Sequence, residues 1–171
     1  ETNARLARDF VNPGDRLNFI GSLGYIDADD VDASVAAIEQ AGGKALMPAF
    51  DIPNVGRVAM VTDPQGAPFY IMKPIPPADD PHAKSDVFSV DQPQRVRWNE
   101  LSTTDPDGAV DFYRRQFGWG QEGDMDMGEM GKYRFIQRDG VMIGAIMAKM
   151  PTDQPPARPS PASSGPAKIS A

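Results

Sequence analysis

Two stretches of this chain carry the same order of predicted elements. Residues 23–74 and residues 96–148 each predict a strand, a helix and then three strands. One such unit leaves a curved, half-apolar sheet that must be covered, so two units are expected to pair. The repeat therefore predicts an α+β fold. It consists of paired βαβββ units that form a curved mixed sheet, with the helices on the convex side.

Both predicted helices have recognisable ends. The first is expected over residues 30–41, where Asp30 is a suitable N-cap and a Gly-Gly pair ends the apolar periodicity. The second is expected over residues 106–117, because Asp105 is a suitable cap and Pro106 fits the first helical position. Tight turns and short apolar runs after each helix predict the strands.

Clusters of proline mark the expected boundaries. We divide the chain into an N-terminal segment, a first βαβββ unit, a proline-rich linker, a second βαβββ unit and a Pro/Ser/Ala-rich tail. These parts span residues 1–18, 19–74, 75–94, 95–149 and 150–171. The tail lacks enough apolar side chains to offset the entropy lost on ordering, so we expect it to be disordered.

Composition argues against several classes of protein. The chain of 171 residues has a formal net charge of -7 with scattered lysine and arginine, whereas a nucleic-acid partner requires a basic face. No apolar run approaches the roughly 18 residues of a membrane helix, so no membrane partner is expected. Cysteine is absent, which excludes disulfides and thiolate ligands.

Four sequence patterns resemble a known family. W-x-E-L-x-x-x-D at residues 98–105 and F-Y-x-x-x-F-G-W at 112–119 resemble the opening of modules in the vicinal oxygen chelate superfamily. D-D-V-D-A-x-V-x-x-I-x-x-A-G-G at 29–43 and G-R-x-A-x-V-x-D-P-x-G-A-x-F at 56–69 resemble the closing half of such a module. The superfamily contains glyoxalase I, bleomycin-resistance proteins and extradiol dioxygenases. The resemblance is strongest to its tandem glyoxalase-like proteins.

The order of the two units is reversed relative to the family. We expect that the chain spans the middle of a tandem protein, with the second half of one module and the first half of the next. A circular permutation is the alternative. We expect a cytoplasmic location. A secreted form with a removed targeting peptide is the alternative, because the chain starts at Glu1 rather than at methionine.

The resemblance implies where metal ligands would lie. The family histidine on the first strand corresponds to Trp98 and Leu23. The glutamate on the last strand corresponds to Tyr70 in the first unit and to Gly144 or Ile146 in the second. None of these side chains is a suitable ligand for a divalent cation. We therefore expect no metal and no cofactor, and we assign no catalytic residue.

Aromatic and acidic side chains remain on the face predicted to be concave. The expected ligand-binding residues are Trp98, Glu100, Tyr25, Tyr70 and Arg57. The aromatic rings would stack against a planar or cationic molecule, with Trp98 substantially buried. Alternatively, Trp98 and Tyr70 simply fill the space of a former metal site. Glu100 is expected to form an ion pair with Arg57 or a hydrogen bond, and a general-base role is the alternative.

Three functions are compatible with these residues. The first is a metal-independent glyoxalase/bleomycin-resistance-like module that binds a small, planar or cationic molecule in an aromatic-lined pocket. The second is a lyase, isomerase or dioxygenase of the superfamily, and the third is an interaction module with a vestigial pocket. The methionine-rich residues 125–130 are expected to form a loop, either solvated or acting as a mobile lid. We expect either that the two units of one chain pair with each other or that a homodimer or a strand-exchanged pair forms, because exposed strand edges favour exchange between chains.

Overall fold

The computed structural model describes residues 23–83, 85 and 87–150. The predicted N-terminal segment, residues 1–18, lies outside the described residues. The predicted tail at 150–171 also lies outside them, apart from its first residue.

The first compact unit is a four-stranded sheet with one helix. Its described residues are 23–62 and 68–81. Its elements, in chain order, are β1 (Tyr25–Asp27), α1 (Val31–Gln40), β2 (Lys44–Ile52), β3 (Gly56–Thr62) and β4 (Pro68–Pro74). The strand order is β1-β4-β3-β2, with β1 parallel to β4 and the other two pairs antiparallel.

The core of this unit lies between α1 and one face of the sheet. Val31 and Ile38 of the helix are 1% and 0% exposed. They face the side of the sheet that carries Ala59, Val61 and Ile71, each of which is completely buried. Full burial of a valine or isoleucine side chain stabilises a fold by about 1.5–3 kcal/mol, so this layer holds the helix on the sheet.

The second compact unit repeats the same architecture. It comprises the described residues from 82 onward together with the turn at 63–67. Its elements are β5 (Asn99–Thr103), α2 (Pro106–Phe117), β6 (Gly120–Asp126), β7 (Lys132–Arg138) and β8 (Val141–Ala148). The strand order is β5-β8-β7-β6, with β5 parallel to β8. Two four-stranded mixed sheets, each with one helix, confirm the predicted α+β class.

Both helices lie where predicted and carry the predicted caps. Oδ1 of Asp30 accepts the backbone N–H of Ala33 at 3.0 Å, and Oδ1 of Asp105 accepts that of Gly108 at 3.0 Å. Pro106 occupies the first turn of α2, where its missing N–H costs nothing. Neither helix among the described residues is long and apolar enough to cross a membrane.

One local prediction needs correction. The expected loop at 125–130 begins within strand β6, where Met125 pairs with Tyr133, and it continues as a short 3₁₀-helix at Gly128–Met130. The strand was hard to predict because β6 is a polar edge strand, Gly-Gln-Glu-Gly-Asp-Met-Asp, without alternating apolar residues. Its strand conformation depends on its pairing with β7.

Candidate functional site

Four side chains gather on the open face of the second sheet, and we refer to them as the aromatic cluster. They are Trp98, Glu100, Tyr133 and Phe135. Ala145 in β8 pairs with Glu100 on one side and with Phe135 on the other, which places both on the same face. Arg134 has the opposite parity and forms an ion pair with Asp107 of α2 at 2.8 Å. The cluster therefore lies on the face away from the helix.

A chain of hydrogen bonds connects three members of the cluster. The indole Nε1–H of Trp98 donates to the hydroxyl oxygen of Tyr133 at 2.6 Å. The Tyr133 hydroxyl in turn donates to Oε1 of Glu100. Tyr133 is buried at 9% exposure, so these bonds satisfy a polar group that water reaches poorly. The Glu100 carboxylate is the terminal acceptor of the chain.

The rings of the cluster have a defined packing geometry. The planes of Trp98 and Tyr133 are inclined by 8°, with ring centroids 6.5 Å apart. Phe135 packs edge-on against Trp98 at 6.2 Å and against Tyr133 at 5.7 Å. Offset-parallel and edge-to-face arrangements are the favourable ones for aromatic rings. The cluster therefore orients its hydrogen-bonding groups through packing as well as through hydrogen bonds.

The protonation state of Tyr133 follows from its surroundings. Burial raises the pKa of the Tyr133 hydroxyl above its usual value, and the hydrogen bond to Glu100 raises it further. The indole N–H of Trp98 lowers this pKa, but by less. The hydroxyl therefore keeps its proton at neutral pH and acts as a donor toward the carboxylate.

Trp98 is more exposed to solvent than the sequence predicted. Its exposed fraction is 39%, where substantial burial was predicted. Trp98 stands just before β5, and both of its aromatic neighbours, Tyr133 and Phe135, belong to β7, so they cover only part of the indole. The remaining indole surface is exposed to solvent.

The sequence prediction missed Tyr133 and Phe135 as members of the site. The strand that contains them was predicted, and the alternation in Lys-Tyr-Arg-Phe-Ile places both aromatic residues on one face. The sequence did not reveal that this face is the one that carries Trp98, because that depends on how β7, β8 and β5 pair.

Two further predicted site residues lie together on the first sheet. Tyr25 and Tyr70 are direct partners in the parallel β1–β4 pair, and their rings stack at 4.6 Å with an angle of 10°. Tyr25 is 53% exposed. Burial raises the pKa of Tyr25, and the proximity of Tyr70 adds to the rise. The pair forms an aromatic surface on the first sheet.

Arg57 is bound by two aspartates of the first unit. Its guanidinium binds both carboxylate oxygens of Asp32, at 2.6 and 2.8 Å, and approaches Asp51 at 3.1 Å. Because residues alternate along β3, Arg57 lies on the helix-bearing face, whereas Tyr70 lies on the other one. The sequence predicted an ion pair with Arg57 or a hydrogen bond for Glu100, and within the second unit the Glu100 carboxylate accepts a hydrogen bond from Tyr133. Arg57 also lowers the pKa of Asp32.

The family's last-strand ligand position is structurally unsuitable for a metal ligand in the second unit. The two residues expected there, Gly144 and Ile146, occupy positions on the helix-bearing face of β8. The residue on the face of the aromatic cluster is Ala145. A register shift in the β7–β8 pair explains why counting from the turn selected the wrong face. A Cβ at Gly144 would lie 2.1 Å from the carbonyl oxygen of Asn99, so no side chain fits.

The remaining positions fit a metal no better. The residues in the expected ligand positions are Trp98, Leu23 and Tyr70, and none carries a suitable donor for a divalent cation. Within residues 23–83, 85 and 87–150, no three His, Asp or Glu side chains lie close enough together to hold a metal ion. The metal site of the family therefore does not fit the described part of this chain.

Sequence comparison finds relatives among curated proteins. CFP32 of Mycobacterium tuberculosis, a protein named as a glyoxylase, is 33% identical over 123 residues, which are 72% of this chain and 44% of CFP32. The anthracycline biosynthesis protein DnrV of Streptomyces peucetius is 34% identical over 94 residues, 55% of this chain and 32% of DnrV. The chain thus spans less than half of the length of these relatives. No family model matches the sequence.

A solved structure supports the same assignment at the level of the fold. A variant of homoprotocatechuate 2,3-dioxygenase from B. fuscum in complex with HPCA matches with a TM-score of 0.50 at 19% identity, over 75% of this chain and 38% of that one. The repeated βαβββ units and the relatives define a glyoxalase-like protein. The chain belongs to the vicinal oxygen chelate superfamily.

Proposed function

We propose that this chain is a metal-independent, glyoxalase/bleomycin-resistance-like module that binds a small planar or cationic molecule on the aromatic cluster. The observation that carries the proposal is the half-open indole of Trp98 beside the carboxylate of Glu100. An exposed aromatic face favours stacking, and a neighbouring carboxylate favours positive charge. The name of DnrV, an anthracycline biosynthesis protein, also favours a small organic molecule as the ligand.

Two alternatives rest on other observations. The name of CFP32 favours an enzyme of the lyase, isomerase or dioxygenase type, and elemental analysis of the purified protein tests it. Stoichiometric zinc, nickel, manganese or iron would support the enzyme and contradict the binding module. The internal bonding of Trp98, Tyr133 and Glu100 favours an interaction module with a vestigial pocket, because these groups already satisfy one another.

Tryptophan fluorescence tests the proposed binding directly. A planar cation such as N-methylquinolinium is expected to quench the emission saturably, because it stacks on Trp98. Trp98→Ala is expected to abolish this saturable component while leaving the far-UV circular dichroism spectrum unchanged. Loss of one stacking contact costs about 1–2 kcal/mol, which corresponds to roughly a 5- to 30-fold weaker Kd even where other contacts persist.

Trp119 provides the control for this measurement. It stacks on Tyr113 at 5.0 Å, outside the aromatic cluster, and it contributes the remaining tryptophan emission. Trp119→Phe is expected to remove this background and to keep the saturable quenching. Quenching that survives Trp98→Ala would place the site elsewhere, and the absence of any saturable quenching would favour the vestigial pocket.

We also propose that the chain forms a homodimer or a strand-exchanged pair. The outer strands are β1 and β2 in the first sheet and β5 and β6 in the second, and each has one side unpaired within its own sheet. Analytical ultracentrifugation is expected to show twice the mass of one chain. A monodisperse monomer across the micromolar range would contradict this proposal. The cytoplasmic location and the absence of a nucleic-acid partner stay predictions.

A further inference from the structure

We infer that the aromatic cluster selects flat ligands that carry a positive charge, with Glu100 as the specificity-determining residue and Tyr133 as its positioning residue. The inference rests on the proposed function, and it makes the positive charge a requirement for tight binding, with Glu100 as the residue that reads it and Tyr133 as the residue that positions Glu100. Its basis is the direction of the hydrogen bonds within the cluster.

Both hydrogen-bond donors of the cluster are already used internally. The indole of Trp98 has a single N–H, which donates to Tyr133. The phenol of Tyr133 has a single O–H, which donates to Glu100. The polar group left to meet a ligand is the carboxylate, which retains Oε2 and unused lone pairs. The cluster therefore presents acceptors and no donor to an incoming molecule.

The charge of the aromatic cluster, like its set of free hydrogen-bond acceptors, favours a cation. Among the residues that the structure describes, no lysine, arginine or histidine forms an ion pair with Glu100, although seven other such contacts are present. The next polar side chain on this face of β5 is the neutral hydroxyl of Ser102. The faces of the aromatic rings also carry partial negative charge. A cation is therefore attracted by the carboxylate and the rings together, and an anion is repelled by both.

Tyr133 fixes the position of this carboxylate. Its hydroxyl donates to Oε1 of Glu100, and its ring contacts both the indole of Trp98 and the ring of Phe135. Because Tyr133 is 9% exposed, the phenol has little freedom to turn away. The second carboxylate oxygen thus keeps one direction relative to the open indole.

Three ring compounds of similar size and different charge test the selection. N-methylquinolinium is a cation, 1-methylnaphthalene is a neutral molecule of nearly the same shape, and 1-naphthoate is an anion. Titration calorimetry with the wild-type chain is expected to give about tenfold tighter binding of the cation than of the neutral compound. The anion is expected to bind most weakly. Tightest binding of the anion would overturn the inference.

Glu100→Gln separates selection from binding, because glutamine keeps an acceptor for the Tyr133 hydroxyl and loses the charge. The preference for the cation is expected to fall to about threefold or less, with the Kd of 1-methylnaphthalene changed less than about twofold. Glu39→Gln removes the same charge from the exposed surface of α1 and is expected to leave the preference intact. An equal loss of preference in Glu39→Gln would overturn the role of Glu100.

Tyr133→Phe tests the positioning role. If the role of Tyr133 is purely structural, the substitution should weaken the binding of the cation and of the neutral compound equally. If Tyr133 positions Glu100, the substitution should lower the affinity for the cation relative to that for the neutral compound. An unchanged ratio in Tyr133→Phe would overturn the positioning role. Failure of all three compounds to bind the wild type would refute the proposed function itself. Binding without preference, unchanged in Glu100→Gln, would refute only the selectivity.

Discussion

Replacement of Gly144 by alanine is expected to lower the free energy of unfolding of the second unit by about 3 kcal/mol or more. A Cβ at this position would lie 2.1 Å from the carbonyl oxygen of Asn99 and 2.9 Å from its carbonyl carbon. Both atoms belong to the backbone of β5, the strand that pairs with β8 at this point. Neither atom is able to move without separating the two strands. Urea denaturation followed by circular dichroism measures the change.

Gly24→Ala is the matched control, because it adds the same methyl group where no other heavy atom lies within 4 Å. Its free energy of unfolding is expected to stay within about 0.5 kcal/mol of the wild type. The chain enters β5 directly after Trp98 and passes through Glu100, so a shift of this strand in Gly144→Ala should also reduce ligand quenching. Equal stability of the two alanine variants would show that β5 and β8 are further apart than described.

Asp63→Ala is expected to lower the free energy of unfolding by about 2–4 kcal/mol. The Asp63 side chain is 1% exposed, and its Oδ1 accepts the backbone N–H groups of Gln65 at 3.0 Å and Ala67 at 2.8 Å. Tyr113, in the same compact unit, donates its hydroxyl to Oδ2 at 3.4 Å. Alanine would leave these buried donors without partners, which costs more than the net strength of the bonds themselves.

Asp63→Asn separates the hydrogen bonds from the charge. Asparagine keeps an acceptor for both N–H groups, so the variant is expected to lie within about 1 kcal/mol of the wild type at pH 7. A loss as large as that of alanine would mean that the charge, rather than the hydrogen bonds, stabilises the turn.

The charge of Asp63 also predicts a pH effect with a definite sign. Burial raises the pKa of the Asp63 carboxyl above its ordinary value of 3.8, and hydrogen bonds oppose part of the rise. The folded state therefore holds this proton at a pH where the unfolded state has released it. The contribution of Asp63 to stability falls as the pH rises from about 4 through the raised pKa. Asp63→Asn should lack this component, and identical pH profiles for the two proteins would contradict the assignment.

Much of the secondary structure was predictable because its signals are local. Asp30 and Asp105 cap helices through bonds to residues three positions along the chain, and such caps need nothing from the rest of the fold. The strands β3, β4, β7 and β8 were equally readable, because short apolar or alternating runs bounded by turn residues predict strands. The repeat predicted a further strand after α2, but the position of β6 was not readable, since its pairing with β7 outweighs its polar sequence.

The candidate site was only partly predictable. Alternation along one strand correctly placed Trp98 and Glu100 on a common face, because that inference involves a single segment of chain. A hydrogen bond was one of the two predicted interactions of Glu100, but its donor was not predictable, because Tyr133 lies 33 residues away in the sequence. A register shift of one position moves every side chain to the other face, and nothing local in the sequence revealed the shift between β7 and β8.

The sequence by itself determined the α+β class, the two helices with their caps, the repeat of the βαβββ unit and the unsuitability of the family's metal-ligand positions. These features depend on residue type and on short-range spacing. Tertiary structure alone decided that Tyr133 and Phe135 join Trp98, that Arg57 lies on the helix-bearing face of its own sheet, and that Gly144 has no room for a side chain. The physical reason is that strand order, register and bulges are set by contacts between segments that are distant in sequence. The free energy of such a contact depends on both segments, so it cannot be inferred from either one alone.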